Sequence, residues 1–312
     1  MCPKSRMLCS LVTPTQTSLD STVLKMEAFL ARTTKRYFHL LTLLQTVESS
    51  GPGIWAFMAI SPSGTMPWEA RSVPTMYVIG GQAAWFVQDH VLNATENSPQ
   101  TLDIPPSEFV VDIFIGTNDV GVNNFITDGQ AFNVSLKSLA TCQLQSIRNL
   151  HALGARNFIL NSLIPLQLTE LYSNSSAPNI YWPALHNGTN WHKRAFNFAN
   201  SLNELLKDGV SNLATEWESE PETSVEFFDT YAFFEEMYNH PAMFFNGSIP
   251  ANVTGHCHQC PDPDNFLDCG IGDCTLAQRD SYMWWDELHP SEQTGRNLAA
   301  EIWRKIQGVS KF

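Results

Sequence analysis

Asp286 and His289 stand three residues apart in W-D-E-L-H-P, and Pro290 closes the segment. A histidine that acts as a general base needs a carboxylate on one ring nitrogen. The carboxylate fixes the tautomer and stabilises the imidazolium formed when the ring accepts a proton. A tight turn with this spacing lets both side chains face one cleft, although ordinary loops contain the same pattern. A second candidate is Asn118 in G-T-N-D, residues 116–119, directly after an apolar run. Held there, its amide can donate to an oxyanion that develops in a transition state. The plain alternative is a turn in which the asparagine bonds its own backbone.

Other residue clusters admit two chemistries each. Cys257, Cys260, Cys269 and Cys274, flanked by His256 and His258, have a spacing compatible with zinc or with disulfides. The surrounding P-D-P-D-N and G-I-G-D resemble a surface loop more than a compact metal finger, which favours disulfides and no metal. Cys142 lies on or near the core face of a helical pattern, as a buried thiol or as half of a bridge whose partner belongs to a missing N-terminal region. Trp284-Trp285 and Tyr181-Trp182-Pro183 offer aromatic surface for a sugar ring or acyl chain. Core packing is the alternative, and the favoured one for at least one of the paired tryptophans.

These residues need a scaffold, and the chain supplies one in alternating elements. Phe109–Ile115 is apolar and rich in β-branched residues, a buried strand that ends at Gly116. A helical pattern over Val134–Leu153 follows, with Gly154 placed to end it. Asn157–Pro165 reads as a second buried strand. A long helix carries Phe198, Leu202, Leu205, Leu206, Val210 and Leu213 at helical spacing, and Val225–Asp229 reads as a third strand. The segment from Ser291 onward is a closing amphipathic helix. Such alternation predicts an α/β fold with a parallel sheet covered on both faces. Ligands of these sheets bind beyond the carboxyl ends of the strands, where G-T-N-D and D-E-L-H both fall.

Residues 1–72 form an atypical N-terminal segment, and 73–312 the main domain. Within the first part, Leu24–Leu44 reads as a helix and Ile54–Ile60 as a short strand, both weakly patterned. The net charge of −13 disfavours nucleic acid and anionic membrane as partners. No apolar run approaches the roughly 18 residues needed to span a bilayer. Sequons at Asn93, Asn133, Asn174, Asn187, Asn246 and Asn252, with the cysteine-rich loop, point to secretion. The N-terminus itself lacks the apolar stretch of a signal peptide.

Taken together, F-I-G-T-N-D-V-G and the later W-D-E-L-H-P-S-E-Q-T resemble the SGNH (GDSL-type) hydrolases, and among them the fungal esterases of carbohydrate esterase family 16. The likeness extends over about Val73–Phe312. It includes L-G-A-R-N-F-I-L-N-S-L-I-P-L-Q-L-T-E-L-Y and N-G-S-I-P-A-N-V-T-G-H-C-H. This resemblance implies a three-layer α/β/α sandwich that hydrolyses carboxylic esters, often acetyl groups on sugars. It would make His289 the general base, Asp286 its orienting acid and Asn118 an oxyanion donor. No cofactor or metal is implied; the expected partner is a small-molecule or oligosaccharide ester, and the expected state a secreted monomer.

The sequence departs from that family at its front. The G-D-S block carrying the nucleophile and the later block carrying an oxyanion glycine are both absent. Ser21 in L-D-S-T is the nearest approach to the first, with Ser61 and Ser63 in S-P-S-G behind it, while Gly80-Gly81 could stand in for the second. A truncated or misassembled chain would look this way. Because losing a triad serine costs roughly 10⁶ in rate, the expectation is little or no activity. The alternatives are a non-catalytic glycan binder, a nonfunctional product, or a zinc-stapled interaction module. A missing first strand should also leave an edge of the Phe109 strand open unless Ile54–Ile60 fills it.

Overall fold

Four strands pair in parallel in the order β1 (His39–Leu44), β2 (Phe109–Phe114), β3 (Asn157–Asn161) and β4 (Ser224–Phe228). The computed structural model describes residues 39–44 as backbone, and 109–179, 181–257 and 274–312. Ser21, Ile54–Ile60, Ser61, Ser63, Gly80, Gly81, Asn93, His258, Cys260 and Cys269 lie outside the described residues.

The three strands expected from the apolar runs are present, shortened by a residue or more at their carboxyl ends. β2 and β3 are buried on both faces, as continuous apolar strands of a covered parallel sheet must be. One expectation is corrected. The carboxyl end of the segment read as a helix over Leu24–Leu44 is the strand β1, in register with β2 from His39↔Phe109 to Leu44↔Phe114. H-L-L-T-L-L is a short apolar run without a helical or alternating period, so the free edge of β2 decides its conformation. That edge is therefore occupied by β1, and the expected opening beside the Phe109 strand is filled.

The helices follow their caps. α1 (Leu136–Ala152) begins in a capping box between Ser135 and Ser138, and Gly154 follows its end with a φ of 110°. α2 (Gly188–Glu216) is capped by Asn187, α3 (Thr230–Asn239) by Asp229 and α4 (Glu292–Ile306) by Ser291. Phe158 of β3 packs against His151 of α1 and Trp217 at the end of α2. Asn161, three residues on and so on the other face, accepts a hydrogen bond from Thr230 at the start of α3, 3.0 Å away. Helices thus cover both faces, giving three layers. Beyond the sheet, β5 (Asn252–His256) and β6 (Tyr282–Trp284) form a small parallel pair. Among the described residues no helix is long and apolar enough to cross a membrane.

Candidate active site

The turn after β6 is closed by its own backbone before any side chain acts. Trp285 N–H donates to the His289 carbonyl at 2.7 Å, and Ser291 N–H to the Met283 carbonyl at 2.9 Å. Within this turn Asp286 Oδ1 accepts the amides of Leu288 and His289 at 2.9 and 2.6 Å. These bonds aim the carboxylate at the ring. His289 Nδ1 lies 2.9 Å from Asp286 Oδ2 and 3.0 Å from Oδ1. The pair predicted from three-residue spacing is therefore assembled. No hydrogen bond to Nε2 of His289 is found among the described residues, and the ring keeps 13% of its surface exposed.

Charge in the turn is held in a defined state. Burial pushes the Asp286 carboxyl upward, but the His289 charge and the hydrogen bonds from His289 and Tyr181 overcome it and bring its pKa to about 2. The carboxylate is thus ionised at neutral pH, as a partner for an imidazolium must be.

A third group belongs to this cluster that the spacing could not reveal. Tyr181 donates its hydroxyl to Asp286 Oδ2 at 2.6 Å, and the same oxygen lies 2.8 Å from His289 Nδ1. The aromatic face expected from Tyr181-Trp182-Pro183 is not an open platform: Tyr181 turns to the pair, and Trp182 packs edge-on against Trp191 with centroids 5.3 Å apart. Trp284 and Trp285 are both buried, and Trp284 Nε1 donates to the Val253 carbonyl at 2.8 Å. Core packing is the observed role of both.

Asn118 sits in a single helical turn, Thr117–Val120, entered through Gly116 at φ 119°. That left-handed angle favours glycine, and a Cβ would also stand 2.9 Å from Gln143 Nε2. The Asn118 carbonyl accepts from Asn124 Nδ2 at 2.8 Å, but no hydrogen bond of its own carboxamide is found among the described residues. The self-bonded turn is therefore not what forms.

One loop ties this turn to the Asp–His turn. Val122 N–H, just beyond the Asn118 helix, donates to the buried Tyr172 hydroxyl at 3.1 Å. The preceding residue, Leu171, donates its N–H to the carbonyl of Glu287, between Asp286 and His289. Gly121 permits the contact, since a Cβ there would lie 2.7 Å from the Tyr172 oxygen. From the same loop Glu170 Oε2 meets His256 Nδ1 at 2.9 Å. The hydrogen bond to His256 pulls the Glu170 carboxyl down, while burial pushes the neighbouring Glu287 carboxyl up.

Cys257 and Cys274 form a disulfide with a Cα–Cα separation of 5.6 Å. Two of the four sulfurs of this cysteine-rich segment are thereby paired with each other. No group of three or more metal-ligating side chains is found among the described residues.

Residues 70–302 match the family described as GDSL-like lipase/acylhydrolase. An acetylesterase of Hypocrea jecorina is 28% identical over 206 residues, which cover 64% of this chain and 57% of the relative. A GDSL esterase/lipase of Arabidopsis thaliana is 27% identical over 197 residues, covering 60% of this chain and 51% of the relative. The chain spans about half the length of these curated relatives.

Proposed function

The chain belongs to the GDSL-like lipase/acylhydrolase family, and on that premise we propose that it hydrolyses acetyl esters of saccharides. His289 is the general base and acid, Asp286 holds its ring, and Asn118 donates to the tetrahedral oxyanion. Where a serine such as Ser21 reaches the ring, its hydroxyl loses its proton to His289 Nε2 as its oxygen attacks the acyl carbon; without one, little or no turnover is expected. The protonated ring then gives that proton to the departing alcohol, and water repeats the cycle on the acyl-enzyme. The acetyl preference draws on the relative named an acetylesterase, and the saccharide on the resemblance to carbohydrate esterases.

The observation that carries this reading is the Nδ1 side of His289, held 2.9 Å from a buried, ionised Asp286 while Nε2 keeps no bond to a described residue. Turnover of an aryl acetate, abolished by His289→Ala, tests it. Labelling with a serine-directed phosphonate followed by peptide mapping identifies the nucleophile, with Ser21 the sequence's own candidate.

A second reading is a catalytically silent glycan binder, favoured by the absence of a G-D-S block from the sequence. Absent turnover and absent labelling, with retained binding of an oligosaccharide, would select it. Under either reading the protein is secreted and glycosylated. Asn133, Asn174 and Asn246 present exposed side chains in loops, as acceptors require.

A further inference from the structure

We propose that Tyr181 is a positioning residue of the Asp286–His289 pair, one hydroxyl fixing both the carboxylate and the tautomer of the ring. The inference deepens the hydrolase reading and rests on it for its kinetic consequence alone. An ionised carboxylate can only accept hydrogen bonds, so at 2.6 Å from Asp286 Oδ2 the phenol is the donor. Burial, and then the charge of Asp286, push Tyr181 ionisation well above its ordinary value, so the hydroxyl proton is retained. With that proton committed, the phenol oxygen presents a lone pair to His289 Nδ1 at 2.8 Å. A lone pair there requires Nδ1 to carry hydrogen. Nε2 is then the basic nitrogen, on the side where no bond is found among the described residues.

The arrangement is built rather than incidental. Asn179 Oδ1 accepts the amides of both Tyr181 and Trp182 at 3.0 Å, and Asn179 and Trp182 exchange backbone hydrogen bonds. Trp182 anchors this tight turn on Trp191 in the first turn of α2. A side chain 105 residues from Asp286 is thus delivered from a fixed backbone. Because Asp286 Oδ1 is occupied by two amides, Tyr181 takes Oδ2.

The test uses the full chain labelled with ¹⁵N in its histidine rings, the His289 signals assigned by their loss in His289→Gln. A hydrogen-bonded Nδ1–H resonance protected from solvent exchange is expected in the wild type. In Tyr181→Phe its exchange should accelerate by about tenfold, with a similar fall in kcat and unchanged KM, the loss of one hydrogen bond's worth. Asn179→Ala leaves the phenol in place but loosens its turn, and should move the same signal in the same direction by less. An unchanged Nδ1–H signal in both variants, with native circular dichroism, would overturn the inference. Absence of ester turnover in the wild type would count against the hydrolase reading instead, and the nitrogen signals would still decide the role of Tyr181.

Discussion

The Leu171 amide donates to the Glu287 carbonyl at 2.9 Å, joining the loop after β3 to the turn that holds Asp286 and His289. Its neighbour Tyr172 takes the Val122 amide at 3.1 Å on the Asn118 side. Two adjacent residues therefore couple the Asn118 turn to the Asp–His turn. Tyr172→Phe should leave the Val122 amide without this acceptor and cost about 1 kcal/mol. Urea unfolding measures that cost. A fall in kcat larger than the fall in stability would show that the coupling sets geometry as well.

Gly116→Ala should be worse than its size suggests. Its φ of 119° is strained for any L side chain, and the new methyl would meet Gln143 Nε2 at 2.9 Å and Leu163 Cδ1 at 3.1 Å. We expect a loss of about 2–3 kcal/mol from backbone strain and crowding together. The strain lies two residues before Asn118, so esterase activity should fall even where the variant remains folded. Denaturant midpoints and aryl acetate kinetics on the folded fraction check both parts.

How much of this was legible depended on range. The Asp286–His289 pair was legible because a three-residue turn is local, and α1, α2 and the buried strands were legible from their apolar periods. β1 was not, because H-L-L-T-L-L takes its conformation from the edge of β2 (His39↔Phe109 onward) rather than from its own pattern. β5 and β6 are short, with N-V-T-G-H carrying a glycine and Y-M-W only three residues long. The role of Tyr181 depends on a contact across 105 residues that no spacing encodes. Its aromatic surroundings suggested ligand binding, while its hydroxyl determined the outcome.

The Asp286 carboxyl gives the fold an acid limb. It titrates at about 2 in the folded protein against 3.8 for the free group. A depressed carboxyl stabilises above its unfolded value, and that contribution, about 2 kcal/mol, is lost as the pH falls from near 4 toward 2. In Asp286→Asn the slope of stability against pH over this window should flatten. At neutral pH the amide can turn an N–H toward Nδ1, which favours the wrong tautomer and should lower kcat by about 10⁴. Unfolding midpoints at pH 2.5 and 5, with kinetics at pH 7, measure the two effects.

Glycan occupancy should discriminate among the sequons. Asn133, Asn174 and Asn246 are exposed, whereas Asn252 is half-buried and its Oδ1 accepts the Thr254 and Gly255 amides at 3.1 and 2.8 Å. Enzymatic deglycosylation in ¹⁸O water of protein secreted from a fungal host should mark the first three and leave Asn252 unmarked. Marking at Asn252 would mean that this Asx turn forms without its free amide.

Reduction of the Cys257–Cys274 bridge should weaken the site as well as the fold. The bridge joins cysteines 17 positions apart, the first directly after β5, and in the chain-entropy account closing a loop of that size is worth roughly 3 kcal/mol. β5 pairs with β6, and its Val253 carbonyl holds the Trp284 indole, two residues before Asp286. Loosening the bridge therefore loosens the strand on which the Asp–His turn is mounted. We expect Cys257→Ala/Cys274→Ala to lower Tm by several degrees and to reduce kcat at temperatures where the protein remains folded. Thermal unfolding and kinetics test this, and elemental analysis of the native protein should find no stoichiometric zinc, since two of the sulfurs are already paired. Zinc present together with titratable thiols at Cys257 and Cys274 would instead restore the metal reading of this loop.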